Sequence, residues 1–136
     1  MKYLCLIHFE EKEYDGLPKA EVDACRQASL AYVDALEKRG HLVATNALQR
    51  VRTATSLRLR NGKMSITDGP FAETKEQLGG FILLEARDMD QAVELIAEFP
   101  LARLSSVEIR PTWELEQKEP TAGRALPSKT GAGAAP

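Results

Sequence analysis

The sequence has no apolar run close to the roughly 20 residues that a membrane span needs. Its apolar opening, Tyr3-Leu-Cys-Leu-Ile, is too short for the core of a secretion signal, and His8, Glu10 and Glu11 follow where a small-residue cleavage site would stand. The segment reads as a strand, and the protein as cytoplasmic. Cysteine is scarce: Cys5 and Cys25 are the only two. They form no C-x-x-C pair and no metal-spaced cluster, which fits buried free thiols in a reducing compartment. The two histidines, His8 and His41, lack metal spacing to cysteine or to carboxylates, so no metal site is expected. Walker-type, G-x-G-x-x-G, G-x-S-x-G and H-E-x-x-H patterns are missing, which leaves nucleotide binding, serine-hydrolase chemistry and zinc-protease chemistry without support. No cofactor is expected. Positive charge is not in excess either: 18 Lys and Arg stand against 20 Asp and Glu. A nucleic-acid-binding domain normally shows a basic stripe, and an anionic membrane attracts basic segments. Neither partner is expected.

What remains is an ordinary globular balance, with 28% charged and 43% hydrophobic residues in 136 positions, the size of one domain. Composition shifts near residue 117. From Gln117 to Pro136 the only large aliphatic side chain is Leu126, among several prolines, glycines and alanines. Such a stretch cannot bury enough surface to offset its ordering entropy. We therefore read residues 1–116 as the folded domain and 117–136 as a flexible C-terminal tail.

Residues 3–9 are apolar at both parities apart from His8, as in a strand buried on both faces. Gly16 and Pro18 open a helix whose stripe is Val22, Cys25, Tyr32, Val33 and Leu36, with Ala28 and Ser29 as small members. Lys38, Arg39 and Gly40 close it. Leu42 to Leu48 reads as a short strand. Asn61-Gly62 is the preferred loop of a type I′ hairpin. It sets Leu59 opposite Met64, Leu57 opposite Ile66, Arg58 opposite Ser65 and Ser56 opposite Thr67, so apolar meets apolar and polar meets polar. Gly80 to Ala86 is another apolar strand. Asp88 with Gln91 predicts a helix cap, followed by Met89, Ala92, Val93, Ile96 and Phe99 at helical spacing, with Pro100 as the stop. Val107 to Leu115 alternates, with Ile109, Trp113 and Leu115 on one face, and Pro111 implies an edge or a bulge.

The order strand, helix, strands, helix, strand is the β-α-β-β-α-β pattern of ferredoxin-like α+β folds, with an inserted hairpin. Both helices then cover one face of an antiparallel sheet. The other face is expected to be apolar, and a second copy of the chain is its simplest cover, giving a homodimer.

The stretch Asp68-Gly-Pro-Phe-Ala-Glu-Thr-Lys-Glu-Gln-Leu-Gly-Gly80 is the best candidate for function. It brings Asp68, Glu73, Lys75 and Glu76 together within nine positions, framed by Gly69, Pro70, Gly79 and Gly80, and glycines permit close approach of a ligand. Asp68, Lys75 and His8 are the candidates for acid–base chemistry, and His8, Ser29, Asp68, Glu73 and Lys75 for a ligand pocket. The structural alternative has Asp68 in an Asx-turn, Glu73, Lys75 and Glu76 in an ion-pair latch, and Phe71 plugging the core. His8 reads equally as a hydrogen-bonded core residue. Arg26, Arg58 and Tyr32 could reach an anionic ligand, or lie on the helix and hairpin surfaces. Trp113 reads as a core or interface anchor.

The same stretch resembles the signature of DGPF-domain proteins in the YCII-related superfamily. The opening Met-Lys-Tyr-Leu-Cys-Leu-Ile, the Asn-Gly-Lys hairpin and Val-Glu-Ile-Arg-Pro-Thr-Trp-Glu agree with it over about residues 1–115. The resemblance implies a dimeric α+β barrel and little about substrate. Enzyme-like relatives carry a His–Asp pair, the His in an Arg-x-x-His-like segment. Here Arg26-Gln-Ala-Ser29 places a serine there, and serine does not titrate near neutral pH, so that dyad is not carried over. The expected function is binding of a small molecule, with any reaction unidentified. The alternative is a regulatory or interaction module without chemistry, linked to an extracytoplasmic-function sigma factor as some members are by gene neighbourhood.

Overall fold

The computed structural model describes residues 1–114. The expected tail at 117–136 and Leu115 lie outside the described residues. The chain forms a mixed α+β fold, and the strands expected to be apolar on both sides occupy its centre. β1 (Lys2–Phe9) lies between β5 (Gln77–Glu85) and β6 (Ser106–Pro111), and β2 (Leu42–Ala47) flanks β5. Every pairing in this four-stranded sheet is antiparallel. Pro111 ends the edge strand β6, where a missing N–H costs least. The last strand stops there and does not reach Leu115. Trp113 follows it at 45% exposure, so it does not anchor this core.

β3 (Thr55–Arg60) and β4 (Lys63–Asp68) form a separate two-stranded hairpin. Its register is the one expected, Leu59↔Met64 and Leu57↔Ile66 included. Asn61 at φ 52 and Gly62 at φ 78 supply the left-handed turn.

One side of the sheet carries the core. Tyr3, Cys5, Ile82 and Leu84 pack there against Leu36 of α2 (Lys19–Lys38) and against Ala92, Leu95 and Ile96 of α3 (Met89–Ala97). The helix stripe expected at Val22, Cys25, Tyr32, Val33 and Leu36 faces inward. Val93 is exposed and Leu95 takes its place. Both helix ends follow from sequence. His41 N–H donates to Leu36 O and Gly40 N–H to Glu37 O, a Schellman ending that Gly40 permits at φ 83. The Asp88 carboxylate accepts the Gln91 N–H at 2.9 Å, while Gln91 Oε1 accepts the Arg87 N–H at 2.7 Å. A short helix, α1 (Glu11–Asp15), was not expected. Its sequence is too brief to show a helical period, and tertiary bonds hold it. Glu11 N–H donates to Gln77 Oε1 at 2.9 Å, and Glu11 Oε2 accepts the Val51 N–H at 3.0 Å.

The opposite side of the sheet is apolar at its centre and polar at its margins. Alternation along β1 and β5 places Leu4, Leu6, Phe81 and Leu83 there, all partly buried. Glu108 and Arg110 of β6 flank them, the guanidinium donating to the carboxylate at 2.7 Å. Ala44 and Asn46 of β2 form the other margin. The expected apolar face is thus a central strip of β1 and β5 residues with polar groups beside it.

Candidate functional site

A cavity of about 490 Å³ opens between α2 and one end of the sheet. That is within the range of small-molecule sites. Two glycines make room for it. β5 bulges by one residue, with Ile7 opposite Gly80 and His8 opposite Leu78, which leaves Gly79 as the extra residue. The ring of Phe9 lies against Gly79 so closely that an added Cβ would sit 2.0 Å from its Cε1. At Gly80 a Cβ would come within 3.0 Å of Asn46 O. The chain crosses here with no side chain, and Gly79, Gly80 and Phe9 all border the cavity.

Part of the cavity's wall is built by aromatic and cationic groups. The rings of Phe9 and Tyr14 meet at 4.8 Å between centroids. The Arg50 guanidinium lies 5.7 Å from the first and 5.6 Å from the second. Asp15 accepts from Arg50 at 2.6 Å, so this cation is already paired. Arg26, one of the residues considered for an anion, borders the same cavity from the exposed side of α2. It has no ion pair or hydrogen-bond partner among the described residues. Ile7, Val33, Ile82, Phe99 and Leu101 supply apolar wall, while Leu30 and Leu48 are exposed at 66% and 46% beside it. Thr45 donates to Phe81 O at 2.8 Å.

Ser29 is the buried polar residue of this wall, 5% exposed. Its Oγ accepts the Leu101 N–H at 3.1 Å and so ties α2 to the turn Pro100–Leu104. Of the five residues considered for a pocket, Ser29 alone borders the cavity. His8 lies between Ile7 and Phe9, which both border it, so strand alternation turns His8 to the other side of the sheet. Asp68, Glu73 and Lys75 are exposed and lie away from it, on the hairpin's last residue and the loop that follows. Their structural alternative is not seen within one chain either. No side-chain partner of Asp68 occurs among the described residues, and no ion pair joins Glu73, Lys75 and Glu76. Phe71 is 83% exposed and plugs nothing.

The loop is shaped instead by backbone and amide contacts. Gly69, at φ 98, donates its N–H to Ala54 O at 2.7 Å, and its own carbonyl accepts from Ser56 at 2.7 Å. Gln77 Nε2 donates to Thr74 O at 2.7 Å. Two further expectations find their place. Tyr32 donates its hydroxyl to Leu95 O at 2.6 Å, inside the helix layer, and burial with Glu98 nearby raises its phenol above the ordinary range. Arg58 lies exposed on the hairpin. Phe9, Tyr14 and Arg50 were not singled out, because residues this far apart in sequence meet only through the fold. The Gly79-Gly80 pair, read in the sequence as part of the signature loop's frame, is a local signal that lies at this cavity.

Cys5 and Cys25 are both free and buried. Burial beneath the helices pushes the Cys5 thiol up to about 12. Among the described residues no group of three or more His, Cys, Asp or Glu side chains could hold a metal ion. No helix among them is long and apolar enough to cross a membrane.

Comparison with known proteins agrees with this architecture. An uncharacterized protein of Rhizobium meliloti (strain 1021), R00369, is 32% identical over 113 residues, spanning 82% of this chain and 91% of that protein. A solved structure of 5-chloro-2-hydroxyhydroquinone dehydrochlorinase from Burkholderia phenoliruptrix AC1100, in complex with 2,5-dihydroxybenzoquinone, superposes with a TM-score of 0.50 at 16% identity. That match covers 84% of this chain and 94% of the other, and it shows a shared fold. The profile of the YCII-related domain matches residues 1–116. A chain matched over its entire described length, with the signature loop and the paired glycines placed as above, belongs to the YCII-related family.

Proposed function

We propose that this protein binds a small, largely apolar anion in the cavity between α2 and the sheet, and that it does so as a homodimer of ferredoxin-like subunits forming an α+β barrel. One observation carries the binding reading: an apolar cavity of about 490 Å³ has at its rim a guanidinium, Arg26, with no carboxylate among the described residues to neutralise it. Arg50 is held by Asp15 and stacks beside Phe9 and Tyr14, so it shapes the wall. A planar ligand with one anionic edge matches this set, the flat body against apolar and aromatic groups and the charge toward Arg26. The ligand in the structural neighbour, 2,5-dihydroxybenzoquinone, is planar and ionises at two opposite ring edges, one of which can face Arg26, and it is a sensible first probe.

Among the described residues, those bordering the cavity include no His, Asp, Glu, Lys or Cys. General acid–base catalysis near neutral pH draws chiefly on those types, and of the tyrosine that can also serve, the cavity has Tyr14 alone among the described residues. We therefore place binding ahead of catalysis for this chain. The dimer is supported by the apolar strip of Leu4, Leu6, Phe81 and Leu83, and it would place His8 at the interface.

The test is a thermal-shift titration with 2,5-dihydroxybenzoquinone, benzoate and, as the neutral counterpart, benzamide. The two anions are expected to raise Tm, and saturation near 100 times Kd corresponds to about 2.7 kcal/mol of linkage. Benzamide should not, and Arg26→Gln should abolish the anion effect. Equal shifts with benzamide, or an unchanged response in Arg26→Gln, would refute the anion reading.

A further inference from the structure

We propose that residues 55–76 form an arm whose apolar face is covered by a second copy of this chain. The inference rests on the dimer proposed above and names the element that makes it. Register places Leu57, Leu59, Met64 and Ile66 on one face of the β3–β4 hairpin. They are 60%, 58%, 62% and 61% exposed. The other face carries Ser56, Arg58, Ser65 and Thr67, suited to water. Such an amphipathic ribbon has a covered side by composition, yet among the described residues the hairpin pairs only with itself. A lone two-stranded hairpin is marginal in water, so four aligned apolar side chains without a cover are the wrong residues unless something lies on them. In the loop that continues it, Phe71 is 83% exposed.

Area selects a second copy as the occupant. A stable interface takes about 800 Å² from each partner. The sheet's strip is narrow: four partly buried apolar side chains, bounded by the Glu108–Arg110 pair and by Asn46. Those four side chains are only partly exposed and offer little apolar surface by themselves. The arm adds four apolar side chains about three-fifths exposed, and Phe71 at 83%, a patch on the order of the few hundred Å² that marks interaction sites, so strip and arm together come nearer to the requirement. Both patches belong to the same chain, and a two-fold axis covers both at once, because each copy supplies what the other lacks.

The experiment compares the full chain with Leu59→Glu/Met64→Glu by sedimentation over a dilution series. These positions face each other across the hairpin. The wild type should be dimeric at micromolar concentration, and the double variant should dissociate at least ~100-fold more readily, with its helical circular dichroism unchanged. A second measurement does not depend on that variant folding. Leu57→Cys is labelled with bimane, the native cysteines being buried, and emission should shift to the red as the dimer is diluted apart. A wild type that stays monomeric overturns the dimer and the arm together. A dimer that persists unweakened in the double variant, or a Leu57 label insensitive to dilution, overturns the arm alone and leaves the sheet-mediated dimer standing.

Discussion

Replacing Gly79 by alanine tests the construction of the cavity with one methyl group. The new Cβ would stand 2.0 Å from Phe9 Cε1, 2.7 Å from Cδ1 and 3.0 Å from Cζ. No real carbon contact is that short, so the ring must move. The backbone is not the obstacle, because Gly79 is not among the glycines with positive φ. Moving the ring disturbs its 4.8 Å contact with Tyr14 and its place under Arg50. Overpacking costs about 1–3 kcal/mol, and losing the aromatic contact adds about 0.5–1.5 kcal/mol. Alanine stiffens the unfolded chain and returns about 0.4–1 kcal/mol. The net loss is about 2 kcal/mol, or a Tm lowered by roughly 8 °C for a domain of this size. Phe9→Ala removes the obstruction. In that background Gly79→Ala should be neutral or slightly stabilising, giving a coupling of about 2 kcal/mol in a double-mutant cycle followed by urea denaturation. Additive changes, or a single variant within about 0.5 kcal/mol of wild type, would refute the packing argument.

Arg26→Gln should leave stability within about 0.5 kcal/mol of wild type, since the side chain is exposed and has no partner among the described residues, while losing anion binding by calorimetry. Asp88→Ala should cost about 1 kcal/mol, read as a lower urea midpoint, by removing the carboxylate that accepts the Gln91 N–H. Cys5 should resist iodoacetamide at pH 8 in the folded protein and react after unfolding, because burial raises its thiol from 9.0 to about 12. The linkage sign follows from the same shift. Above pH 9 the unfolded thiol loses its proton and the folded one keeps it, so stability is full below pH 9 and declines as pH rises toward 12. Tm between pH 9 and 11 should fall more steeply in wild type than in Cys5→Ala, and parallel slopes would contradict the assignment.

The sequence by itself determined the local structure, because the signals there are local. Asn61-Gly62 set a hairpin whose four pairings are those observed. Gly40 ended α2, Asp88 opened α3, and the apolar runs of β1 and β5 marked the two central strands. Helix α1 was invisible, since its five residues are held by Gln77 and Val51 from distant segments. The signature loop drew notice through its charges, yet tertiary structure used its glycines: Gly69 for a left-handed turn, Gly79 and Gly80 for space. Only the fold could bring Phe9, Tyr14, Arg26 and Arg50 to one cavity or turn His8 away from it. The physical reason is range: caps, turns and alternation act over a few residues of chain. A cavity instead depends on which strands lie side by side, and that is decided by the packing of the whole sheet.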